Sequence, residues 1–127
     1  LLIEPEPELL IENSNQFIEF IEKFDSKFLG LNFDIGHFFC VNENPDELII
    51  DLQDYIQHIH LEDIASSREH YHLIPGYGVI DFKKIFTSLQ AINYSGFITV
   101  ELYPYQNNPQ NAAIESITYL KSIIENV

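Results

Sequence analysis

The segment FLGLNFDIGH, residues 28–37, places a carboxylate at the end of an apolar, strand-like run. Side chains along a strand alternate between faces, so Leu29, Leu31 and Phe33 share one face and Gly30, Asn32 and Asp34 the other. The same alternation sets His58 and His60 against Ile59 and Leu61, Thr99 and Glu101 against Ile98, Val100 and Leu102, and Glu4 against Ile3. Four apolar runs therefore end in Glu4, Asp34, His60 and Glu101. In parallel β/α proteins the strand C-termini gather at one end, where active sites are built. Three acids and an imidazole converging there would be costly to bury unpaired, because carboxylates repel one another and lose hydration. A divalent cation removes that cost. Three carboxylates and one imidazole suit Mn²⁺, Mg²⁺, Co²⁺, Fe²⁺ or Zn²⁺. A lone strand-end acid ordinarily faces solvent or caps the following helix, but four on consecutive strands point to a metal site.

The elements that must position these groups follow from periodicity. Strands are predicted at Leu1–Glu4, Phe28–Ile35, Ile56–Leu61 and Gly96–Leu102. Ser14 is expected to cap a helix in which Phe17, Phe20, Ile21 and Phe24 recur at helical spacing. Asn44-Pro45-Asp46-Glu47 gives a cap, a proline at the first helical position and acids in the first turn, with Leu48, Leu52 and Tyr55 as the inner face. Asp81 caps a helix with Phe82, Ile85, Phe86 and Leu89 as its stripe, and a last helix carries Ile114, Ile117, Leu120 and Ile124. Glu62–Gly78, with Pro75-Gly76, reads as a long loop. Strict β–α alternation implies an α/β fold with a parallel sheet and right-handed crossovers. Four β–α units make half of an eight-stranded barrel or a small open sheet.

The 127 residues suffice for one domain with a real core, and 46% apolar with 20% charged residues is a globular profile. The opening LLIEPEP has no methionine or turn residue and reads as the middle of a strand, so as a piece of a longer protein. No apolar run reaches the length of a membrane span. A single cysteine, Cys40, excludes an internal disulfide framework and suits a cytoplasmic protein. The net charge of −14, with six Lys and Arg, argues against nucleic acid as a partner and is compatible with a cationic one, metal ions included.

LIEPEP, NFDIGH, HIHLED, HYHLIPGYG and ITVELYPY, in that order, resemble the C-terminal half of xylose-isomerase-like TIM (β/α)8 barrels. That superfamily contains sugar and sugar-phosphate isomerases and epimerases together with endonuclease IV-type AP endonucleases. The resemblance covers essentially the whole chain as a single incomplete domain, residues 1–127. It implies Glu4, Asp34, His60 and Glu101 as metal ligands and His37 as a substrate contact or, in the nuclease branch, a ligand to a further metal. His70 and His72 fall where that branch has an Asp-x-His pair for a third metal, with His70 in place of the aspartate. Arg68 is the nearest match to an arginine that binds substrate in the isomerase and epimerase branch, and His72 is a second candidate for substrate binding.

The activity implied is a metal-dependent sugar or sugar-phosphate isomerase or epimerase with Mn²⁺, Mg²⁺, Co²⁺ or Zn²⁺ as cofactor. Such a metal would hold the substrate carbonyl and hydroxyl while Glu4 and Glu101 move a proton through an enediolate. Asp63 is expected to orient the site from outside the ligand set. The alternatives are metal-assisted phosphodiester hydrolysis, drawing on His37, His70 and His72, and a non-catalytic binding barrel. A half barrel has two open sheet edges, which predicts either a missing N-terminal half or a self-associating second copy. Among the remaining residues, His58 reads as a hydrogen-bonded interior histidine, Cys40 as a small buried hydrophobe, and Phe38 and Phe39 as core. Tyr103 and Tyr105 either stack on a sugar or pin their loop, and Glu6 and Glu8 read as solvated rim.

Overall fold

The computed structural model describes residues 1–24 and 26–127. Their order is β1 (Leu2–Ile3), α1 (Ser14–Ile21), β2 (Gly30–Asp34), α2 (Ile35–Cys40), α3 (Pro45–Asp51), β3 (Ile56–Leu61), α4 (Phe82–Ala91), β4 (Ile98–Val100), a 3-10 turn (Tyr103–Tyr105) and α5 (Pro109–Ile124). The strands form one parallel sheet in the order β1-β2-β3-β4. Sequential order with helical crossovers is the β/α arrangement that the alternation predicts. The register pairs Asp34 with His60 and His60 with Thr99, which brings the strand ends level.

The apolar faces of β2 and β3 are fully buried through Leu31, Phe33, Ile59 and Leu61, in one cluster with Phe17, Phe38, Ile49, Phe82 and Ile85 from the helices. β3 spans the predicted residues. β2 is shorter than expected at both ends. Phe28 lies outside it and is 73% exposed, and Ile35 begins a helix. The cause is Asp34, whose Oδ1 accepts the His37 amide at 2.8 Å and so converts the strand end into a helix N-cap. The periodicity did not indicate α2.

Three helices differ in detail from expectation. Asn13, with extended backbone, caps α1 by accepting the Gln16 amide at 3.0 Å, while the Ser14 hydroxyl donates to Glu43 at 2.5 Å. In α3 Ile49 is buried in addition to the predicted Leu52, while Leu48 and Tyr55 pack half-buried beside the core as expected. α5 buries Ala112, Ser116 and Leu120, and leaves Ile114, Ile117 and Ile124 about half exposed. α5 packs against α4, with the Tyr119 ring edge-on to that of Phe82 at 6.1 Å. Asp81 caps α4 as predicted, through the Lys84 amide at 3.2 Å. No described helix is long and apolar enough to cross a membrane.

Candidate metal centre

The C-terminal ends of the four strands bring Glu4, Asp34, His60 and Glu101 together, with one ligand atom from each lying within 4.8 Å of all the others. His60 Nδ1 is 2.8 Å from Glu4 Oε1, 3.3 Å from Glu101 Oε2 and 3.9 Å from Asp34 Oδ2. The Asp34 side chain is sealed, that of His60 is 22% exposed, and those of Glu4 and Glu101 are 33% and 42% exposed. Asp34 Oδ2 is buried with no hydrogen-bond partner among the described residues, and Glu4 Oε1, equally buried, has only the close approach of His60 Nδ1. Buried carboxylate oxygens without donors are costly. Two of them beside one imidazole make a set of oxygen and nitrogen donors that fits a divalent metal.

A second cluster adjoins the first. His37, His70 and His72 also offer ligand atoms within 4.8 Å of one another. His37 Nδ1 lies 3.0 Å from the Pro5 carbonyl and His72 Nδ1 lies 2.9 Å from the Glu101 carbonyl. A carbonyl only accepts, so both rings carry their proton on Nδ1 and present an Nε2 lone pair. The His72 Nε2 is 3.2 Å from that of His70, and the His37 Nε2 is 3.7 Å from Asp34 Oδ2. Burial, followed by the neighbouring His37 and His72, holds the His70 imidazole below its ordinary range.

The chain matches, over residues 1–123, the family described as xylose isomerase-like TIM barrel. The chain belongs to that family. Inosose dehydratase of Clostridium beijerinckii is 30% identical over 129 residues, a match covering 87% of this chain and 43% of that protein. A D-tagatose 3-epimerase-like protein of solved structure superimposes with a TM-score of 0.85 and 32% identity, over 99% of this chain and 47% of its own. The fold is shared with the IOLI protein, solved with a zinc atom bound, at a TM-score of 0.80 and 20% identity over 98% of this chain and 49% of that one. The chain spans less than half the length of these xylose isomerase-like relatives, as half a barrel would.

Within this xylose isomerase-like half barrel, the other candidate residues take definite places. Arg68, at a left-handed φ of 60°, stacks its guanidinium 3.9 Å over the Phe39 ring and donates to the Phe39 carbonyl. It stands outside both clusters, in a cleft of about 480 Å³ with Glu8, Glu12, Cys40, Glu69 and His70. Burial, with Asp34 adding to it and Arg68 opposing, pushes the Cys40 thiol up to about 11, as expected of an unreactive cysteine. Asp63 does not reach the ligands. Its carboxylate accepts the amides of Ile64, Gly76, Gly78 and Ile80 at 2.9–3.0 Å and so ties down the loop bearing His70 and His72. Its oxygens are committed to backbone because Gly78 lets the chain close in; a Cβ there would lie 2.3 Å from Asp63 Oδ1. His58 is half-buried and bonded to Thr99 Oγ1 at 2.9 Å. Tyr103 and Tyr105 bond to the His70 carbonyl and the Ile74 amide, which is the loop-pinning alternative.

Glu62 was not singled out from the sequence. It is fully buried, and neither oxygen has a hydrogen-bond partner in good geometry among the described residues. Burial first, and the Asp34 charge beside it, push its carboxyl well above the ordinary carboxylate range. The signal was present in the alternation His58, His60, Glu62, which runs one step past the strand end.

Proposed function

We propose that the chain supplies one half of the active site of a divalent-metal-dependent sugar isomerase or epimerase. The observation that carries this reading is the convergence of Glu4, Asp34, His60 and Glu101, with two buried carboxylate oxygens turned to one imidazole. Bound there, a divalent cation would act as a Lewis acid on a carbonyl and its adjacent hydroxyl. Dehydration of an inosose and 3-epimerisation of a ketose, the reactions named for the relatives, both begin by removing a proton next to a carbonyl. Glu4 and Glu101 are the more open carboxylates and the two suited to carry that proton. Asp34, sealed and bonded to the α2 backbone, holds rather than transfers. His37, its tautomer set by the Pro5 carbonyl, offers Nε2 to a substrate oxygen, while His72, 1% exposed with its Nε2 3.2 Å from that of His70, would reach substrate through His70. Arg68 would meet a substrate only from its cleft beside His70.

A second reading is metal-dependent phosphodiester hydrolysis. The His37–His70–His72 cluster favours it as a further metal site, while the net charge of −14 opposes a nucleic-acid substrate. Metal analysis of the wild type beside Asp34→Ala separates these readings. One ion per wild-type chain, lost in the variant, supports the isomerase reading, together with deuterium uptake from D₂O by a ketose or a keto-cyclitol. Two or more ions with nicking of abasic DNA support hydrolysis. An ion without either activity supports a binding barrel, and no ion in either protein overturns the metal site.

A further inference from the structure

His70 and His72 are a pair of imidazoles whose shared proton has one place to sit. His72, 1% exposed, donates its Nδ1–H to the Glu101 carbonyl at 2.9 Å. A neutral ring has one N–H and one lone pair, so His72 Nε2 is an acceptor. The atom 3.2 Å from it is His70 Nε2. The ring centroids stand 5.2 Å apart, further than the nitrogens by nearly the full reach of two ring radii, so the nitrogens face each other along the line between the rings. His70 therefore donates from Nε2, and its lone pair is left on Nδ1.

The two nitrogens of an imidazole point to nearly opposite sides of the ring, so His70 Nδ1 faces away from His72. The bond to His72 is the one hydrogen bond of the His70 ring among the described residues. His70 is partly exposed and lines the Arg68 cleft, where Glu8, Glu12 and Glu69 supply further acceptors and the Arg68 guanidinium is engaged by the Phe39 ring and carbonyl. A cleft of acceptors takes hydroxyl donors and repels a phosphate. His37 packs edge-to-face with His70 at 4.6 Å and its Nε2 lies 3.7 Å from Asp34 Oδ2, so the cleft begins one side chain from the metal centre.

We propose that His72 is a positioning residue for His70: it fixes the His70 lone pair on Nδ1, which accepts a hydrogen bond from a hydroxyl of an uncharged sugar or cyclitol substrate. The substrate contact rests on reading the chain as half of a sugar isomerase or epimerase site; the paired tautomers do not. The test records ring ¹⁵N spectra of the metal-free protein and of the protein with one equivalent of Zn²⁺, each titrated with D-fructose and with fructose 6-phosphate. Opposite tautomers are expected, Nδ1–H at His72 and Nε2–H at His70, with and without zinc. Fructose should shift His70 Nδ1, and the phosphate should not. His72→Asn keeps a donor for the Glu101 carbonyl and drops the acceptor, so the His70 tautomers should mix and fructose should bind about 2–10-fold more weakly. His72→Gln, which returns an amide oxygen near the lost Nε2, should restore the His70 signature. The same tautomer on both rings, or zinc that moves both rings as it binds, would overturn the pairing. Fructose that leaves His70 Nδ1 unmoved, or fructose 6-phosphate that shifts it equally, would overturn the substrate contact. Wild type that takes up no zinc overturns the metal reading beneath it, while opposite tautomers in the same spectra still support the pair. If His72→Asn does not fold, the wild-type spectra decide.

Discussion

Glu62 is a buried carboxyl whose titration should be visible in stability. Its folded-state pKa is raised by burial and by Asp34, so in metal-free protein the folded chain keeps the proton that the unfolded chain loses near pH 4. Below that pH both states are protonated and the group adds no pH dependence. As pH rises from about 4, the unfolded state ionises first and stability falls, until the folded value is passed. Glu62→Gln removes this dependence. Its stability relative to wild type should therefore grow between pH 4 and pH 7 in urea denaturation with a chelator present, and a gap constant across that range would refute the assignment. The strand-end acids Glu4, Asp34 and Glu101 were legible because each ends an alternating run. Glu62 was not, because it lies one residue beyond β3 and solvated rim is the ordinary reading of such an acid.

At the scale of elements, the site depends on two backbone devices. The first is the direct passage of β2 into α2. A Cβ at Gly36 would lie 1.7 Å from Glu62 Oε1, so Gly36→Ala must displace either the helix start or the carboxyl. The expected cost is about 1–3 kcal/mol, read by thermal denaturation, with weaker metal binding because Asp34 caps the same helix. Unchanged stability and affinity would show that α2 is free to move. The second device is the Asp63 clamp. Asp63→Ala strands amides that are bonded to it, at a cost on the order of 3 kcal/mol. Hydrogen exchange at Gly76, Gly78 and Ile80 should accelerate more than exchange in β3, whereas uniform acceleration would mean global destabilisation only. β3 and α4 were readable because their period and caps agree. α2 was not, because the six residues IGHFFC carry no helical period. α5 carries Ile114, Ile117, Leu120 and Ile124 at helical spacing, and periodicity does not show that Ala112 and Ser116 are buried in place of the isoleucines.

The whole molecule is a parallel sheet with β1 and β4 at its edges, where a closed barrel has none. Phe97 is 83% exposed and Ile98 36% exposed at the β4 edge, and the Ile114–Ile117 stripe of α5 is also open. Unpaired strand groups beside apolar side chains invite pairing with another chain, and a charge on the edge opposes it. Long-range repulsion from the −14 net charge is screened beyond a Debye length of about 8 Å at physiological salt. The chain on its own should therefore self-associate, more so as salt is raised. Sedimentation velocity over a range of concentrations reads this directly, and Phe97→Lys with Ile98→Lys should shift the population to monomer. Because neither residue touches the ligand cluster, zinc binding per chain should survive the double substitution. A wild-type monomer at every concentration and salt would mean that the edges are protected by their own twist and shortness. Loss of zinc binding on dissociation would instead mean that the second copy completes the site.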